Sequence, residues 1–263
     1  MNKEICNGVL GLFSYKNVSR TFTYGILLAA IPLLVIYENN LPNMSVVENG
    51  KHLLMGNGAE GILKDFGTFF GFLSQNYAHQ ILLLEMVTGS LLGIWYEKRK
   101  WGAIEIRAEF LFFTLAEATL FSLLITPVLS MVFLFNFPIP FARGYPDLSA
   151  LPIYFGKNCG DGFYEELLFR VILLGSIVKI VRKFCSYSLS IETFTVVGVS
   201  LLFSLIHYTG WFGLEMNEDF TMQNFMYHFF LGITYGTIYL KRGFATAAWT
   251  HTLGNFWVYA NLF

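Results

Sequence analysis

Charged residues are scarce in this chain. Aspartate, glutamate, lysine and arginine make up 13% of its 263 residues, and hydrophobic residues make up 55%. Soluble domains carry roughly 25% charged residues. Together with a mean hydropathy of +0.54, this composition excludes an ordinary soluble domain. It predicts an integral, multi-pass membrane protein whose surroundings are the lipid bilayer.

Cysteine is also scarce, and the sequence patterns of several functional classes are absent. The three cysteines, Cys6, Cys159 and Cys185, lie in separate segments without metal-ligand spacing, so neither a disulfide framework nor a zinc site is predicted from them. The net charge is −1 and the compact basic run is residues 98–100, which gives no basis for a nucleic-acid partner. The chain has no Gly-x-Ser-x-Gly turn, and its amino-terminal residues do not predict a removable signal peptide.

Seven apolar segments are long enough, with their flanks, to cross a bilayer as helices. An eighth segment, residues 61–80, mixes aromatic with polar residues and is typical of an interfacial or half-inserted amphipathic helix. The sequence therefore predicts an all-α fold, a polytopic transmembrane helical bundle of about seven to eight spans, with a kink at Pro127. The predicted spans are residues 21–37, 81–96, 108–135, 161–181, 190–208, 221–240 and 243–263.

The segments between the spans divide the chain into two parts. Residues 38–60 and the basic residues 97–107 are predicted to be loops, and four prolines exclude one continuous helix over residues 136–160. We place the boundary at this proline-rich segment. Residues 1–135 then form N-terminal transmembrane helices and loops, and residues 136–263 form a helical core that carries the polar residues described below.

Basic residues are unequally distributed over the two sides of this layout. Cytoplasmic loops carry an excess of lysine and arginine, so we predict that the amino terminus is cytoplasmic. Arg170 lies within a span. The residues on the amino-terminal side are Lys3, Lys16, Arg20, Lys98, Arg99, Lys100, Arg107, Lys179, Arg182, Lys183, Lys241 and Arg242, and those on the other side are Lys51, Lys64, Arg143 and Lys157.

The predicted start of the fourth span holds two adjacent glutamates and an arginine. Ionisable residues at membrane depth are rare and are functional candidates. At about 100° of rotation per residue, Glu166 and Arg170 share a helix face and can pair, whereas Glu165 points about a quarter turn away. One interpretation is a polar helix start that is capped by Asp161. The other is a functional site in which Glu165 faces another helix.

Two further spans each carry a histidine within an apolar pattern. His207 follows Phe203 by four residues, and Asn255 follows His251 by four, so each pair shares a helix face. In the predicted layout these groups and Glu165 reach similar depths in the outer half of the bilayer. A carboxylate and an imidazole can hold a water and take its proton, while a second imidazole and an amide can stabilise an oxyanion. Such groups are suited to the hydrolysis of an amide.

Together these residues resemble the CPBP intramembrane proteases, the family of CAAX prenyl endopeptidases and bacteriocin-processing enzymes. The family's motifs are Glu-Glu-x-x-x-Arg, Phe-x-x-x-His and His-x-x-x-Asn, and the resemblance covers roughly residues 160–256. It implies a CPBP-like catalytic helical core with an intramembrane catalytic cavity that opens from the membrane. The motifs stand here as Glu165-Glu166-x-x-x-Arg170, Phe203-x-x-x-His207 and His251-x-x-x-Asn255.

The resemblance implies a role for each matching residue. Glu165 and His207 would be catalytic residues that activate the attacking water. His251 and Asn255 would be catalytic residues that stabilise the oxyanion. Three supporting residues would position Glu165 and shape the site: Glu166, Arg170 and Phe203.

Three functions are compatible with these observations. The leading hypothesis is a glutamate-dependent, metal-independent intramembrane endopeptidase that needs no cofactor and cleaves membrane-associated proteins or peptides. The nearest alternative is a zinc-dependent membrane metalloprotease, because one carboxylate and two histidines could bind zinc with an open fourth position, although the chain lacks His-Glu-x-x-His. The third is a non-catalytic membrane protein such as an immunity protein, scaffold or transporter.

The predicted topology bears on the substrate. CAAX-type prenyl-protein processing requires a site that is reached from the cytosol, whereas the distribution of basic residues places Glu165 and His207 toward the opposite face. An outward-facing site would suit the maturation of exported peptides or the trimming of C-terminal anchor segments. His228, on the sixth span, is expected to have a hydrogen-bonded packing role.

Overall fold

The structure, a computed structural model, is helical throughout almost all of its described residues. These are residues 19–43, 45–48, 51–54, 58–69, 77–101, 107–133, 150–184, 189–209 and 219–259. The helices are α1 (Phe22–Asn40), α2 (Gly58–Phe69), α3 (Ala78–Trp101), α4 (Ala108–Phe133), α5 (residues 151–184), α6 (Leu189–Ile206), α7 (Met222–Arg242) and α8 (Phe244–Tyr259), and a hairpin consists of β1 (Ser45–Glu48) and β2 (Lys51–Leu54).

A helix occupies each predicted span, which confirms the all-α class and the approximate number of helices. In the described residues α1, α3 and α4 are long and apolar enough to cross a membrane, by length and composition. The apolar part of α6, Ser190–Ile206, is shorter. The predicted span 243–263 begins as α8 begins, and its last residues, 260–263, lie outside the described part of the chain.

The prediction of a loop over residues 38–60 was wrong in part. The helix α1 continues to Asn40, a 3-10 turn follows at Leu41–Asn43, and β1 pairs antiparallel with β2 so that Val46 lies opposite Leu53. Valine favours extended backbone because its branched side chain packs well on a pleated surface. The Asn-Gly dipeptide at residues 49–50 is a hairpin signal in the sequence, and it could have predicted this element.

Residues 97–107 were also predicted to be a loop, but α3 continues to Trp101. Its last turn contains Lys98, Arg99 and Lys100, where positive charges are stabilised by the negative end of the helix dipole. Arg99 also lies 5.3 Å from the ring centroid of Trp95. Lysine and arginine also have high helix propensity, so a run of basic residues is compatible with a continuing helix.

The segment 61–80, predicted to be one interfacial helix, is divided between two helices. The first is α2, which ends at Phe69, and α3 begins at Ala78, while residues 70–76 lie outside the described part. At 1.5 Å per residue, the 12 residues of α2 extend about 18 Å, short of the roughly 30 Å of a hydrocarbon core. Its position at the membrane interface stays a prediction.

The fourth span begins ten residues earlier than predicted. The helix α5 starts at Leu151 with Pro152 in its first turn, where proline has no hydrogen bond to lose. A helix that begins at Leu151 agrees with the prediction that residues 136–160 are not one continuous helix, and residues 136–149 lie outside the described part of the chain. Asp161 lies inside the helix and does not cap it.

Two glycines explain how α5 packs against α1. A Cβ atom added to Gly156 would lie 2.4 Å from the Cβ of Asn40, and one added to Gly160 would lie 2.4 Å from Cδ2 of Tyr37. No larger residue fits without displacement. Beyond these glycines, α5 continues as two π-helical segments, Asp161–Glu165 and Leu167–Leu174, and ends as the α-helical stretch Gly175–Phe184.

The helix α8 lies at the centre of the bundle and packs against α1, α4, α5 and α7. Small residues make this possible, and its buried residues include Ala245, Ala248 and Thr252. The turn between α7 and α8 is formed by Gly243, whose φ of 90° is unfavourable for residues with a Cβ. The N-terminal part and the core thus form one bundle, and the division at residue 135 stays a prediction.

The termini of several helices meet at one end of the bundle, which we call the basic end. The start of α1, the end of α3, the end of α5 and the turn after α7 line two adjacent cavities there. These basic residues were predicted to lie on one side of the membrane, and the structure places them at one end of the bundle. The assignment of that end to the cytoplasm stays a prediction. The basic end comprises Arg20, Lys100, Lys179, Arg182, Lys241 and Arg242.

Candidate active site

Two consecutive glutamates lie where the π-helical segments of α5 meet. Glu165 is 6% exposed, and Glu166 is fully buried. Insertions of π-helix are frequent at functional sites. Glu166 forms the ion pair expected from its spacing, with 3.1 Å between its Oε2 and Nε of Arg170. A buried carboxylate needs such a partner, because desolvation of an unpaired charge is costly.

Aromatic rings surround the guanidinium of Arg170. Its Cζ lies 4.5 Å from the ring centroid of Phe203 and 5.9 Å from that of Tyr235. The guanidinium nitrogens make no hydrogen bond of good geometry to any residue that the structure describes. The cation is therefore held by Glu166 and by the ring faces, as in a desolvated cation–π site.

His251 connects the two glutamates. Its Nδ1 lies 3.0 Å from Oε1 of Glu166, and its Nε2 lies 3.8 Å from Oε2 of Glu165. A carboxylate accepts hydrogen bonds, so Nδ1 carries a proton and donates a hydrogen bond to Glu166. The ring of Tyr235 stacks on the imidazole at 4.7 Å. These contacts fix the orientation of His251 and direct Nε2 toward Glu165.

The second histidine, His207, lies directly after α6. Its Nδ1 donates a hydrogen bond of 2.7 Å to the carbonyl oxygen of Phe203. Because a carbonyl only accepts, Nδ1 carries the proton, and in the neutral imidazole Nε2 is an unprotonated nitrogen that can accept one. The ring also stacks on that of His228, with 4.1 Å between the centroids.

Asn255 lies one turn beyond His251 and faces α5. Its Nδ2 donates to Oδ2 of Asp161 over 3.4 Å, and Nζ of Lys157 lies 3.4 Å from the same oxygen. Asp161 was predicted only as a helix cap, yet it is buried and bound to a candidate oxyanion donor. Its spacing of four residues from Glu165 was the signal that it shares the face of the site.

The structure brings the sequence-predicted residues from three helices together. The ring centroid of Phe203 lies 4.9 Å from that of His207 and 6.3 Å from that of His251. The imidazole of His251 lies beside Glu165, with 3.8 Å between Nε2 and the carboxylate. The pairing of Glu165 with His207 across a water stays a prediction.

Two residues of the site were missed or given a lesser role by the sequence analysis. Tyr235, which contacts both Arg170 and His251, was not singled out, and His228 was expected only to pack. Both lie on α7 at a spacing of seven residues, which places them on one face. The hydroxyl of Tyr208 lies 3.4 Å from Nδ1 of His228. Aromatic residues are abundant in this chain, so their type alone did not distinguish them.

The described residues around the motifs bear on the zinc alternative and on the predicted catalytic cavity. These residues contain no group of three or more His, Cys, Asp or Glu side chains that could hold a metal ion. Two cavities, of about 920 and 840 Å³, lie at the basic end, and neither is lined by any of the seven motif residues. A catalytic cavity at Glu165 therefore stays a prediction.

Residues 147–257 match the model of a protein family described as type II CAAX prenyl endopeptidase Rce1-like. The match contains all three motifs and confirms the resemblance to the CPBP family. No curated protein matches the chain, and neither does any solved structure.

Proposed function

Because residues 147–257 form an Rce1-like domain, which indicates a membrane protease, we propose that the protein is a glutamate-dependent intramembrane endopeptidase. The observation that carries the proposal is the arrangement of two buried glutamates around one imidazole. Glu165 lies 3.8 Å from Nε2 of His251. Glu166 accepts a hydrogen bond from Nδ1 of the same ring and forms an ion pair with Nε of Arg170. The apolar spans support an integral membrane protein.

The two glutamates have different roles in this proposal. Both carboxylate oxygens of Glu166 are engaged, one by His251 and one by Arg170, so this residue positions its neighbours. Glu165 acts as the general base and takes a proton from the attacking water. The unprotonated Nε2 of His207 accepts a hydrogen bond from the same water and orients it.

The oxyanion of the tetrahedral intermediate requires donors that are already in place. We assign this role to Nε2–H of protonated His251 and to the side-chain amide of Asn255. The bond from Asn255 to Asp161 is long, at 3.4 Å, so an oxyanion can replace it at little cost. After the addition, the proton on Glu165 passes to the leaving amine as the C–N bond breaks.

One contact favours the zinc-dependent alternative, although the described residues contain no group of three metal ligands. Zinc-bound histidines commonly donate a hydrogen bond from their other ring nitrogen to a carboxylate. In the same way, Nδ1 of His251 donates a hydrogen bond to Glu166. A chelator that abolishes cleavage, with recovery on addition of zinc, would establish this alternative. The glutamate mechanism predicts unchanged cleavage in the chelator.

Glu165→Gln tests the proposed base, and Glu109→Gln, which changes an exposed glutamate of α4, is the control that should keep normal kcat. The purified enzyme in bilayer nanodiscs is given a farnesylated CAAX peptide, an unprenylated peptide and a peptide with an apolar C-terminal anchor, and kcat is measured. Glu165→Gln should lower kcat by 100-fold or more, as expected for removal of a general base, with KM nearly unchanged. If it retains full kcat, the general-base role is excluded.

The substrate proposal covers prenyl-protein processing, peptide maturation and anchor trimming. Glu165 lies 14 residues, or about 21 Å, beyond the start of α5 at Leu151. We propose on this basis that Glu165 lies away from both membrane surfaces and that a substrate segment from either face reaches it. The relative kcat/KM of the three peptides above decides among these substrates.

A further inference from the structure

A cavity of about 920 Å³ lies at the basic end, between α1, α3, α5 and α7. Its inner wall is apolar and includes Ile26, Met86, Phe163, Val171 and Tyr239. The wall on α5 is formed by a different face of the helix from that of Glu165 and Glu166. The cavity is therefore separate from the candidate active site.

Positive charge surrounds the mouth of this cavity. Four cations line it, Arg20, Lys100, Lys179 and Arg182, together with one acid, Glu97. The carboxylate of Glu97 already accepts hydrogen bonds from the backbone amides of residues 22 and 23 and from a threonine hydroxyl.

Two of these cations remain available to an anion. Arg182 is paired with Glu192, whereas Arg20 and Lys179 have no ion-pair partner among the residues that the structure describes. Basic side chains at the membrane surface attract anionic lipid headgroups. The mouth is thus suited to a negative group at the level of the headgroups.

The apolar wall is long enough to accompany a lipid of one leaflet. It extends along α5 from Phe163 to Val178, and these 15 residues would extend at most about 22 Å at the α-helical rise. Half of a bilayer's hydrocarbon core is about 15 Å thick. A molecule with an anionic head at the mouth would therefore place its acyl chain along this wall, as lipids of that leaflet do.

We propose that this cavity binds one anionic phospholipid from the membrane leaflet at the basic end. The headgroup phosphate pairs with Arg20 and Lys179, and an acyl chain lies against the apolar wall. This proposal is independent of the peptidase mechanism, since none of the motif residues lines the cavity.

Two glycines provide a matched pair of variants. A Cβ on Gly89, which lines the cavity, would meet no atom within 4 Å, and the same is true of Gly198 on α6, which does not line it. Gly89→Phe would therefore add a ring at the wall of the cavity with no clash at its Cβ atom. Gly198→Phe adds the same ring elsewhere. A second variant, Arg20→Gln with Lys179→Gln, removes the charge and keeps the apolar wall.

Native mass spectrometry of the full chain tests the proposal. Purified protein is titrated with phosphatidylglycerol, with phosphatidylcholine of the same acyl chains, and with inorganic phosphate. We expect one phosphatidylglycerol to bind at least tenfold more tightly than phosphatidylcholine. This affinity should fall at least tenfold in Gly89→Phe and in the double variant, and should be unchanged in Gly198→Phe.

Each other result overturns the proposal. Equal binding of the two lipids would exclude recognition of the anionic head. Binding of inorganic phosphate as tightly as phosphatidylglycerol would exclude a role for the chain. Unchanged lipid binding in Gly89→Phe, with the protein still folded by thermal unfolding, would place the lipid elsewhere.

Discussion

The carboxylate of Glu166 is held on both sides, by Arg170 and by His251. This arrangement makes Glu166 the residue on which two others depend, while its neighbour Glu165 faces Nε2 of His251. A spacing of four residues predicted the pair with Arg170. The contact with His251, 85 positions away in the sequence, could not be obtained from spacing, because it depends on how α5 and α8 pack.

We expect Arg170→Met to destabilise the protein. The change leaves the buried Glu166 without its cation, and loss of one partner of a buried ion pair costs about 3–5 kcal/mol. The free energy of unfolding, measured by denaturant titration in detergent, should fall by that amount.

The double variant Glu166→Gln with Arg170→Met is the control. Removal of both charges should restore a large part of the lost stability. A double variant less stable than Arg170→Met alone would contradict this account of the pair.

His228 is expected to orient His207 by stacking, since their ring centroids are 4.1 Å apart. His228→Ala removes the ring, and a small displacement of a catalytic group can lower the rate about 100-fold. His228→Phe keeps a flat ring at this position. We therefore expect a strong decrease in kcat for the alanine variant and near-normal kcat for the phenylalanine variant, with KM unchanged in both. If phenylalanine is as inactive as alanine, the imidazole nitrogens are required and stacking is not the role.

At the scale of elements, α5 determines the position of the site. Its glycines permit contact with α1, and its π-helical segments carry Glu165 and Glu166. The start of this helix was predicted ten residues too late, because all four prolines of residues 136–160 were interpreted as helix-breaking. Pro152 lies at the first turn, where the same residue is tolerated.

Two glycine-to-alanine changes should have effects of opposite sign. In Gly160→Ala the new Cβ would lie 2.4 Å from the ring of Tyr37, so overpacking should lower the midpoint of thermal unfolding. In Gly198→Ala the Cβ meets no atom within 4 Å, and the better helix propensity of alanine should raise that midpoint. Equal shifts in the two variants would show that α1 and α5 are not packed closely at Gly160.

At the scale of the whole molecule, the basic end and the hairpin lie at opposite ends of α1. Arg20 precedes this helix at the basic end, and Tyr37, near its other end, contacts Tyr164 and donates to Glu60. The helices α3 and α5 end at the basic end, where α1 begins, so their directions are consistent with the alternating layout predicted from hydropathy. The excess of positive charge on one side predicts that this side is cytoplasmic.

Cysteine labelling of the two ends of α5 tests this orientation. In a background without Cys6, Cys159 and Cys185, Tyr154→Cys lies near the start of the helix and Lys183→Cys near its end. A membrane-impermeant maleimide should label the first variant in intact cells and the second only after permeabilisation. The reverse pattern would place the amino terminus outside.

The sequence by itself determined the class, the approximate spans and the seven motif residues, since hydropathy and local spacing depend only on neighbours along the chain. Tertiary structure decided which imidazole lies beside Glu165, that Asp161 binds Asn255, and that Tyr235 and His228 stack on the two histidines. These contacts join different helices, so they follow from the distances and rotations at which the helices pack. Close approach at Gly156 and Gly160 sets that packing for α5, and a pattern along one helix contains no information about the partner's side chains.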